Sequence, residues 1–164
     1  MTNKTSPQIT NSRNDATDNG NVEGGLVRAR RGAIQTTATD AAGTIQRFLR
    51  VPSNAVVSQV LFTAPLATAG AVNIGVYQPA EFGGAAINAT LFASAQVITS
   101  ALNRSDVTFQ SGTYAPANRM QPLWQALGLA ADPGREFDIA TTISTTYVGA
   151  STTVPQLMEV TFTI

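Results

Sequence analysis

Residues 157–164, which read LMEVTFTI, decide the fold more clearly than any other stretch of the chain. Apolar and polar side chains alternate along them, and a period of two is the pattern of a β-strand that buries one face. Because the alternation runs through the whole stretch, we expect these residues to be paired in a sheet. The predicted inward set is Met158, Val160, Phe162 and Ile164, and the predicted outward set is Glu159, Thr161 and Thr163.

Further strand patterns occur upstream, each bounded by turn residues. The stretch 56–62 is mostly apolar on both faces (positions 56, 58, 60 and 62 on one, 57, 59 and 61 on the other), which is typical of a central strand. In 71–77, positions 72, 74 and 76 are predicted inward and positions 73, 75 and 77 outward. Positions 137, 139, 141 and 143 share one face of a later strand. The predicted upstream strands are 26–37, 44–51, 56–62, 71–77, 91–99, 107–110 and 137–143.

One helix signal interrupts the strand patterns, at residues 122–128, which read PLWQALG. Proline in the first turn and glycine at the C-terminal cap position predict a helix of about two turns. We expect Trp124, with Leu123 and Leu127, to pack this helix on a sheet rather than to form a sugar-stacking platform.

Eight strands without long helices between them disfavour a parallel sheet, since parallel pairing needs crossover connections. The sequence therefore predicts an all-β fold, an antiparallel β-sandwich of jelly-roll type with one short helix. A seven-stranded sandwich fits nearly as well. Residues 25–164 are assigned to this domain, and residues 78–86 to a loop within it.

Residues 1–24 differ from the rest because they hold almost no aliphatic side chains beyond Ile9 and Val22. Such a stretch cannot bury enough apolar surface to offset the entropy lost on ordering. We predict an extended N-terminal arm that is ordered by a partner, with Gln8, Ile9 and Arg13 as candidate contacts. The N-terminus lacks the apolar run of a secretory signal, and no run of 18 apolar residues predicts a membrane span, so no membrane partner is expected.

The chain has neither histidine nor cysteine. Disulfides, thiolate metal sites and a Ser-His-Asp arrangement are therefore impossible, and the commonest general base is missing. The nearest group of acids is Asp132, Glu136 and Asp138, and we expect Glu136 and Asp138 to lie on one solvated outward strand face beside Arg135. We predict a protein that is not an enzyme, with no catalytic residues, no cofactor and no metal site.

Charged residues make up 12 % of the chain, against about 25 % in ordinary domains, and the formal net charge is zero. So few charges are typical either of a surface that lies against other proteins or of a Thr-rich exposed sheet. One basic cluster, Arg28, Arg30 and Arg31, stands where the arm meets the domain. It could pair with carboxylates of a partner, face nucleic acid, or be a solvated turn. Binding to nucleic acid is disfavoured because the chain has no basic excess.

Several stretches in order along the chain resemble capsid cement (head decoration) proteins, small proteins encoded beside the major capsid protein in many tailed phages. The first half of the resemblance lies in RFLRVPSNA at 47–55, VNIGVY at 72–77 and LFASA at 91–95. The second half lies in PLWQALGL at 122–129, DP at 132–133 and FDIATT at 137–142. The matches begin after about residue 44 and leave the arm without a counterpart.

The resemblance implies a β-sandwich protein, often a homotrimer, on the outer surface of the virion capsid. There it would bridge neighbouring major capsid proteins, with Gln8, Ile9, Arg13, Arg28, Arg30 and Arg31 as candidate partner contacts. Two rival hypotheses stay open: a carbohydrate- or receptor-binding β-module on the virion, and a neck or tail completion protein. A hydrolase that uses paired carboxylates is a more distant possibility.

Overall fold

The computed structural model describes residues 26–110 and 113–164, and these form an antiparallel β-sandwich, as the sequence predicts. A single four-residue α-helix within the described residues, α1 (Leu123–Ala126), follows the 3₁₀ helix Pro116–Met120, and another 3₁₀ helix spans Ala80–Phe82. The strands are β1 (Val27–Ile34), β2 (Ile45–Pro52), β3 (Val56–Ala64), β4 (Ala69–Tyr77), β5 (Ala86–Val97), β6 (Leu102–Asp106), β7 (Glu136–Val148) and β8 (Gln156–Thr163).

The strands form two four-stranded sheets, with the order β1-β8-β3-β6 in sheet I and β2-β7-β4-β5 in sheet II. Every pair of neighbours is antiparallel. The first strand pairs with the eighth, the second with the seventh, the third with the sixth and the fourth with the fifth. The chain is therefore a long hairpin of nested strand pairs, and successive pairs lie in opposite sheets.

The core lies between the inner faces of the two sheets. Sheet I contributes the buried side chains of Val60, Phe62, Val160 and Phe162, while sheet II contributes the matching alternate positions of β4 and β7. Phe48 of sheet II meets the edge of Phe62 of sheet I, with ring centroids 6.2 Å apart. Each such side chain contributes roughly 1.5–3 kcal/mol by leaving water, so interlocking between the sheets is the main source of stability.

The predicted faces are confirmed along most of three strands. Residues 72, 74 and 76 of β4 are buried, as are 137, 139, 141 and 143 of β7 and 158, 160 and 162 of β8. The prediction for Ile164 is wrong, because this residue lies beyond the end of β8 and its side chain is exposed. Tyr77 points outward, as predicted, beside Asp138 of β7. It is nevertheless buried, because the Arg47 side chain covers its ring and its hydroxyl forms a hydrogen bond with that of Thr142.

β3 is an inner strand between β8 and β6, as predicted, but its two faces are not those of a regular strand. The register shifts between Val57 and Gln59, so Val57 is buried together with Val60 and Phe62. A bulge inserts one residue into the ladder and exchanges the faces at that point. Alternation alone therefore assigned positions 56 and 58 to the wrong face.

The helix forms where it was predicted but is shorter. Pro122 precedes α1, and Gly128 follows it with a positive φ of 72°, which is the backbone role of glycine at a helix end. The amide of Leu123 donates to the carbonyl of Ala55 at 2.8 Å, and the amide of Trp124 donates to that of Ser53 at 3.0 Å. The turn between β2 and β3 thus satisfies donors that a helix start leaves unpaired.

The predicted strand at 107–110 is wrong, since β6 occupies 102–106 instead. Val107 and Thr108 are buried, which explains the apolar signal. The Thr108 hydroxyl accepts a hydrogen bond from the Val60 amide at 2.8 Å, so a side chain replaces the backbone ladder here.

One side of the sandwich is closed by a close approach of β1 to β2. A Cβ atom at Gly32 would lie 2.0 Å from the carbonyl oxygen of Phe48, so no larger residue fits there without moving the backbone. The edges of the two sheets therefore meet at this glycine.

We expect Gly32→Ala to lower the free energy of unfolding by about 1–3 kcal/mol, because overpacking must separate β1 from β2. Urea unfolding followed by circular dichroism measures this effect. Ala29→Ser, which adds an atom at an exposed position of the same strand, is the control and should change stability by less than about 0.5 kcal/mol. Equal stability of the two variants would contradict the close approach.

Candidate interaction surface

Half of the predicted partner contacts can be located in the structure. Gln8, Ile9 and Arg13, with the whole predicted arm and its boundary after residue 24, lie outside the described residues. Arg28, Arg30 and Arg31 lie on β1, one of the two edge strands of sheet I. The solvated turn that the sequence left open is therefore excluded for these three arginines.

The three arginines of β1 have different surroundings. Nη1 of Arg30 donates to the carboxylate of Glu136 and to the carbonyl oxygen of Arg50, both at 2.7 Å. Arg30 therefore links β1 of sheet I to β2 and β7 of sheet II, in addition to any contact with a partner. Arg28 is exposed and has no ion-pair partner among the described residues.

Arg31 points to the outer face of sheet I, where its Nε donates to Glu159 at 2.7 Å. Arg104, on β6, reaches the same carboxylate from the opposite side, with Nη1 at 3.0 Å. Glu159 lies on β8 between the two strands, and its side chain is only 15 % exposed. These hydrogen bonds hold the pKa of the Glu159 carboxyl below its usual range.

The arginine–glutamate cluster lies in a groove of about 430 Å³ on this outer face. The strand register builds its floor, since Leu157 pairs with Ala33 on one side and Thr63 on the other, and Glu159 pairs with Arg31 and Leu61. We call this surface the arginine groove and define it by Arg31, Ala33, Leu61, Thr63, Arg104, Leu157 and Glu159.

Sequence reasoning identified Arg31 but missed its partners in the groove. Arg104 adopts a positive φ of 50°, at a point where the pairing of β3 with β6 is irregular. The sequence around Arg104 looks like a turn. It does not indicate that an irregularity in β6 directs the Arg104 side chain across β3 to Glu159 on β8. The predicted outward position of Glu159 was a usable signal. An acid that faces outward from an inner strand lies next to the side chains of the neighbouring strands and can pair with their arginines.

A second charged network covers the outer face of sheet II. Asp138 accepts from Arg47 Nη1 at 2.7 Å and from Arg50 Nε at 3.0 Å, and Arg50 also binds both carboxylate oxygens of Glu81. Arg47 further donates to the carbonyl oxygens of residues 78 and 84. The network thus fastens the predicted 78–86 loop, which contains the 3₁₀ helix Ala80–Phe82, onto the sheet.

The predicted solvated face for Glu136 and Asp138 is wrong for Asp138. Its side chain is 5 % exposed because Arg47 and Arg50 cover it, although both acids point to the same side of β7. Arg135 does not pair with them and instead places its guanidinium 4.7 Å from the ring centre of Phe82. The ionic contacts here are internal and structural.

Among residues 26–110 and 113–164 there is no group of three or more acidic, histidine or cysteine side chains that could hold a metal ion. Burial raises the pKa values of Tyr114 and Tyr147 to about 12, so these hydroxyls stay protonated at neutral pH. The part of the chain that the structure describes also contains no helix of the length and apolar character needed to cross a membrane.

Comparison with known structures relates this fold to one solved chain, from a structure described as "Cyanophage Pam1 capsid asymmetric unit". The two chains agree with a TM-score of 0.55 over 85 % of this chain and 86 % of the other, with 14 % sequence identity. At that identity the likeness establishes a shared sandwich fold. No family model matches the sequence. No curated protein matches it either.

We expect Asp138→Asn to lower the free energy of unfolding by about 3 kcal/mol, because it leaves Arg47 and Arg50 without their shared buried carboxylate. Chemical denaturation measures the loss. Glu136→Gln removes a carboxylate from an exposed pair with Arg30 and should cost no more than about 1 kcal/mol. If Asp138→Asn is as mild as Glu136→Gln, the buried pair is not a stabilising feature.

Stability should fall in acid and stay level near neutral pH. The pKa values of Glu81, Asp106, Asp132 and Glu159 lie below their ordinary values. Burial raises the pKa of Asp106, but hydrogen-bond donors outweigh it there, and hydrogen-bond donors also stabilise the other three carboxylates. A lowered folded-state pKa contributes stability above the unfolded value, and this contribution disappears as the pH falls through the folded value. Thermal unfolding midpoints should be nearly constant from about pH 5.5 to 7 and should decline below about pH 4.5. A midpoint that rises on acidification would contradict these shifts.

Proposed function

We propose that the chain is a structural protein of a tailed-phage virion, and specifically a cement protein that binds the outside of the assembled capsid. The observation that carries the proposal is the fold shared with a capsid-structure chain over 85 % of the length. The sequence stretches that resemble cement proteins also support it, and they lie in strands β2, β4, β5 and β7 and around α1.

The nested strand pairing supports a jelly-roll assignment for the sandwich. Eight strands that pair first with last and inward from there, split between two sheets, are what two Greek keys in series produce. A jelly roll leaves two broad outer sheet faces available for contacts. We infer that the protein uses such surfaces rather than a catalytic cleft.

The proposed mechanism is mechanical. A cement subunit that contacts several neighbouring major capsid proteins binds the closed lattice better than it binds loose subunits. It therefore stabilises the closed lattice by mass action. Association of the protein as a homotrimer would join individually weak contacts into strong net binding. No catalytic step, cofactor, nucleic acid or membrane enters this mechanism.

Copy number per particle tests the proposal. A stained gel of purified virions of the phage that encodes the chain should show it in numbers comparable to the major capsid protein, because capsid lattice sites are repeated by symmetry. Roughly a dozen copies would indicate a neck or tail completion protein instead. Absence of the chain from virions would overturn the proposal.

A carbohydrate-binding module is the less favoured alternative. Tryptophan and tyrosine combine an apolar ring with a polar tip, which suits contact with a sugar. Here Tyr77, Tyr114 and Tyr147 are buried, and Trp124 packs against the core. Binding of the protein to a glycan array would revive that alternative.

We expect deletion of residues 1–24 to abolish binding to particles while the domain stays folded, because the described core is complete without them. Sedimentation of the truncated protein with phage particles that lack the protein measures binding, and circular dichroism confirms folding. The full-length chain is the positive control. Undiminished binding after the deletion would show that the arm does not hold the subunit to its neighbours.

A further inference from the structure

The arginine groove carries unbalanced charge, whereas the outer face of sheet II does not. Among the residues that line the groove, two arginines face one acid, so their formal charge is +1 (Arg31 and Arg104 against Glu159). The neighbouring acid Asp106, which pairs with Leu61, lies outside this lining, and its carboxylate accepts hydrogen bonds from Gln59 and Thr108. On sheet II, Arg47 and Arg50 meet two carboxylates, and the network is neutral. The groove is therefore the outer sheet surface with capacity for another negative group.

Hydrogen-bond donors remain free in the groove. Arg31 binds Glu159 through Nε, and its Nη1 and Nη2 have no hydrogen-bond partner among the described residues. Its side chain is 72 % exposed. A guanidinium has five donors in a planar fork that suits a carboxylate, so a second carboxylate can bind without displacing Glu159.

The floor of the groove offers apolar contact beside these donors. Leu157 is 44 % exposed and lies in register between Ala33 and Thr63, with Leu61 one row further along β3. Exposed ion pairs contribute little on their own, whereas burial of an aliphatic side chain contributes in proportion to its area. A ligand that combines a carboxylate with an aliphatic group fits both features.

We propose that the arginine groove binds a segment of a partner protein that presents an Asp or Glu next to an aliphatic residue. The inference rests on the proposed function, because it takes the partner to be a neighbouring capsid protein. Nucleic acid fits poorly, since its affinity comes from many phosphates and the groove has a single surplus positive charge. A glycan fits poorly as well, since no aromatic ring lines the groove.

The test is rebinding of the full-length chain to phage particles depleted of it, with affinity measured at low ionic strength. Arg104→Gln makes the groove neutral and should weaken binding roughly three- to tenfold. Glu159→Gln raises the groove charge to +2 and should tighten binding by a similar factor. Arg135→Gln, which removes an arginine that lies against Phe82 and does not line the groove, is the matched control and should bind like the unmodified chain.

The opposite signs distinguish the proposal from a purely structural role. If the arginine–glutamate cluster only stabilises sheet I, Arg104→Gln and Glu159→Gln should both weaken binding, and the proposal is overturned. Thermal unfolding of each variant identifies any loss of fold. Leu157→Asn probes the floor separately and should weaken binding without changing its dependence on salt.

Two further outcomes separate the inference from the proposed function. If the unmodified chain rebinds particles and all three charge variants bind equally, the groove is not the contact site, while the cement function stands. If the unmodified chain does not rebind, both fail. Competition by a short single-stranded oligonucleotide, with no competition by a peptide of alternating Leu and Glu, would assign the groove to nucleic acid and overturn the inference.

Discussion

The antiparallel pairing of β8 with β1 on one side and β3 on the other is the contact on which the rest of the sandwich depends. β8 supplies the inward side chains Met158, Val160 and Phe162 to the core and the outward Glu159 to the surface. Its pairing also fixes β1, and with β1 in place Gly32 can pack on β2 and Arg30 can reach Glu136. The core, the closed side of the sandwich and the arginine groove therefore all depend on the register of β8 with β1 and β3.

That register was readable in part from the sequence. Alternation in LMEVTFTI, and in the strands that became β4 and β7, predicted which side chains enter the core, because a period of two survives wherever the ladder is regular. It misled at Val57, where a bulge exchanges the faces. It also misled at residues 107–110, where the Thr108 hydroxyl takes the place of a strand partner. Both errors come from side-chain and register effects that no local pattern encodes.

The candidate site was less predictable than the fold. Arg31 was found because it belongs to a basic cluster, but its connection to Arg104 requires knowing that β1, β8, β3 and β6 lie side by side. Asp138 is a second residue whose surroundings could not be predicted from the local sequence. An acid on an outward strand position looked solvated, yet two arginines from β2, separated from it by about ninety residues, bury it. Which charged side chains meet depends on which strands lie side by side, and a local sequence pattern does not contain that information.

The nesting of strand pairs has a consequence for how the molecule acquires its structure. β1 and β8 are separated by more than a hundred residues, so sheet I cannot be completed until almost the whole described chain is available. Closing so long a loop before any contact is gained makes folding slow. In contrast, β4 and β5 are neighbours in the chain and pair locally. We therefore expect the innermost pair to form first, and the edge strand β1, with the arginines it carries, to join sheet I late.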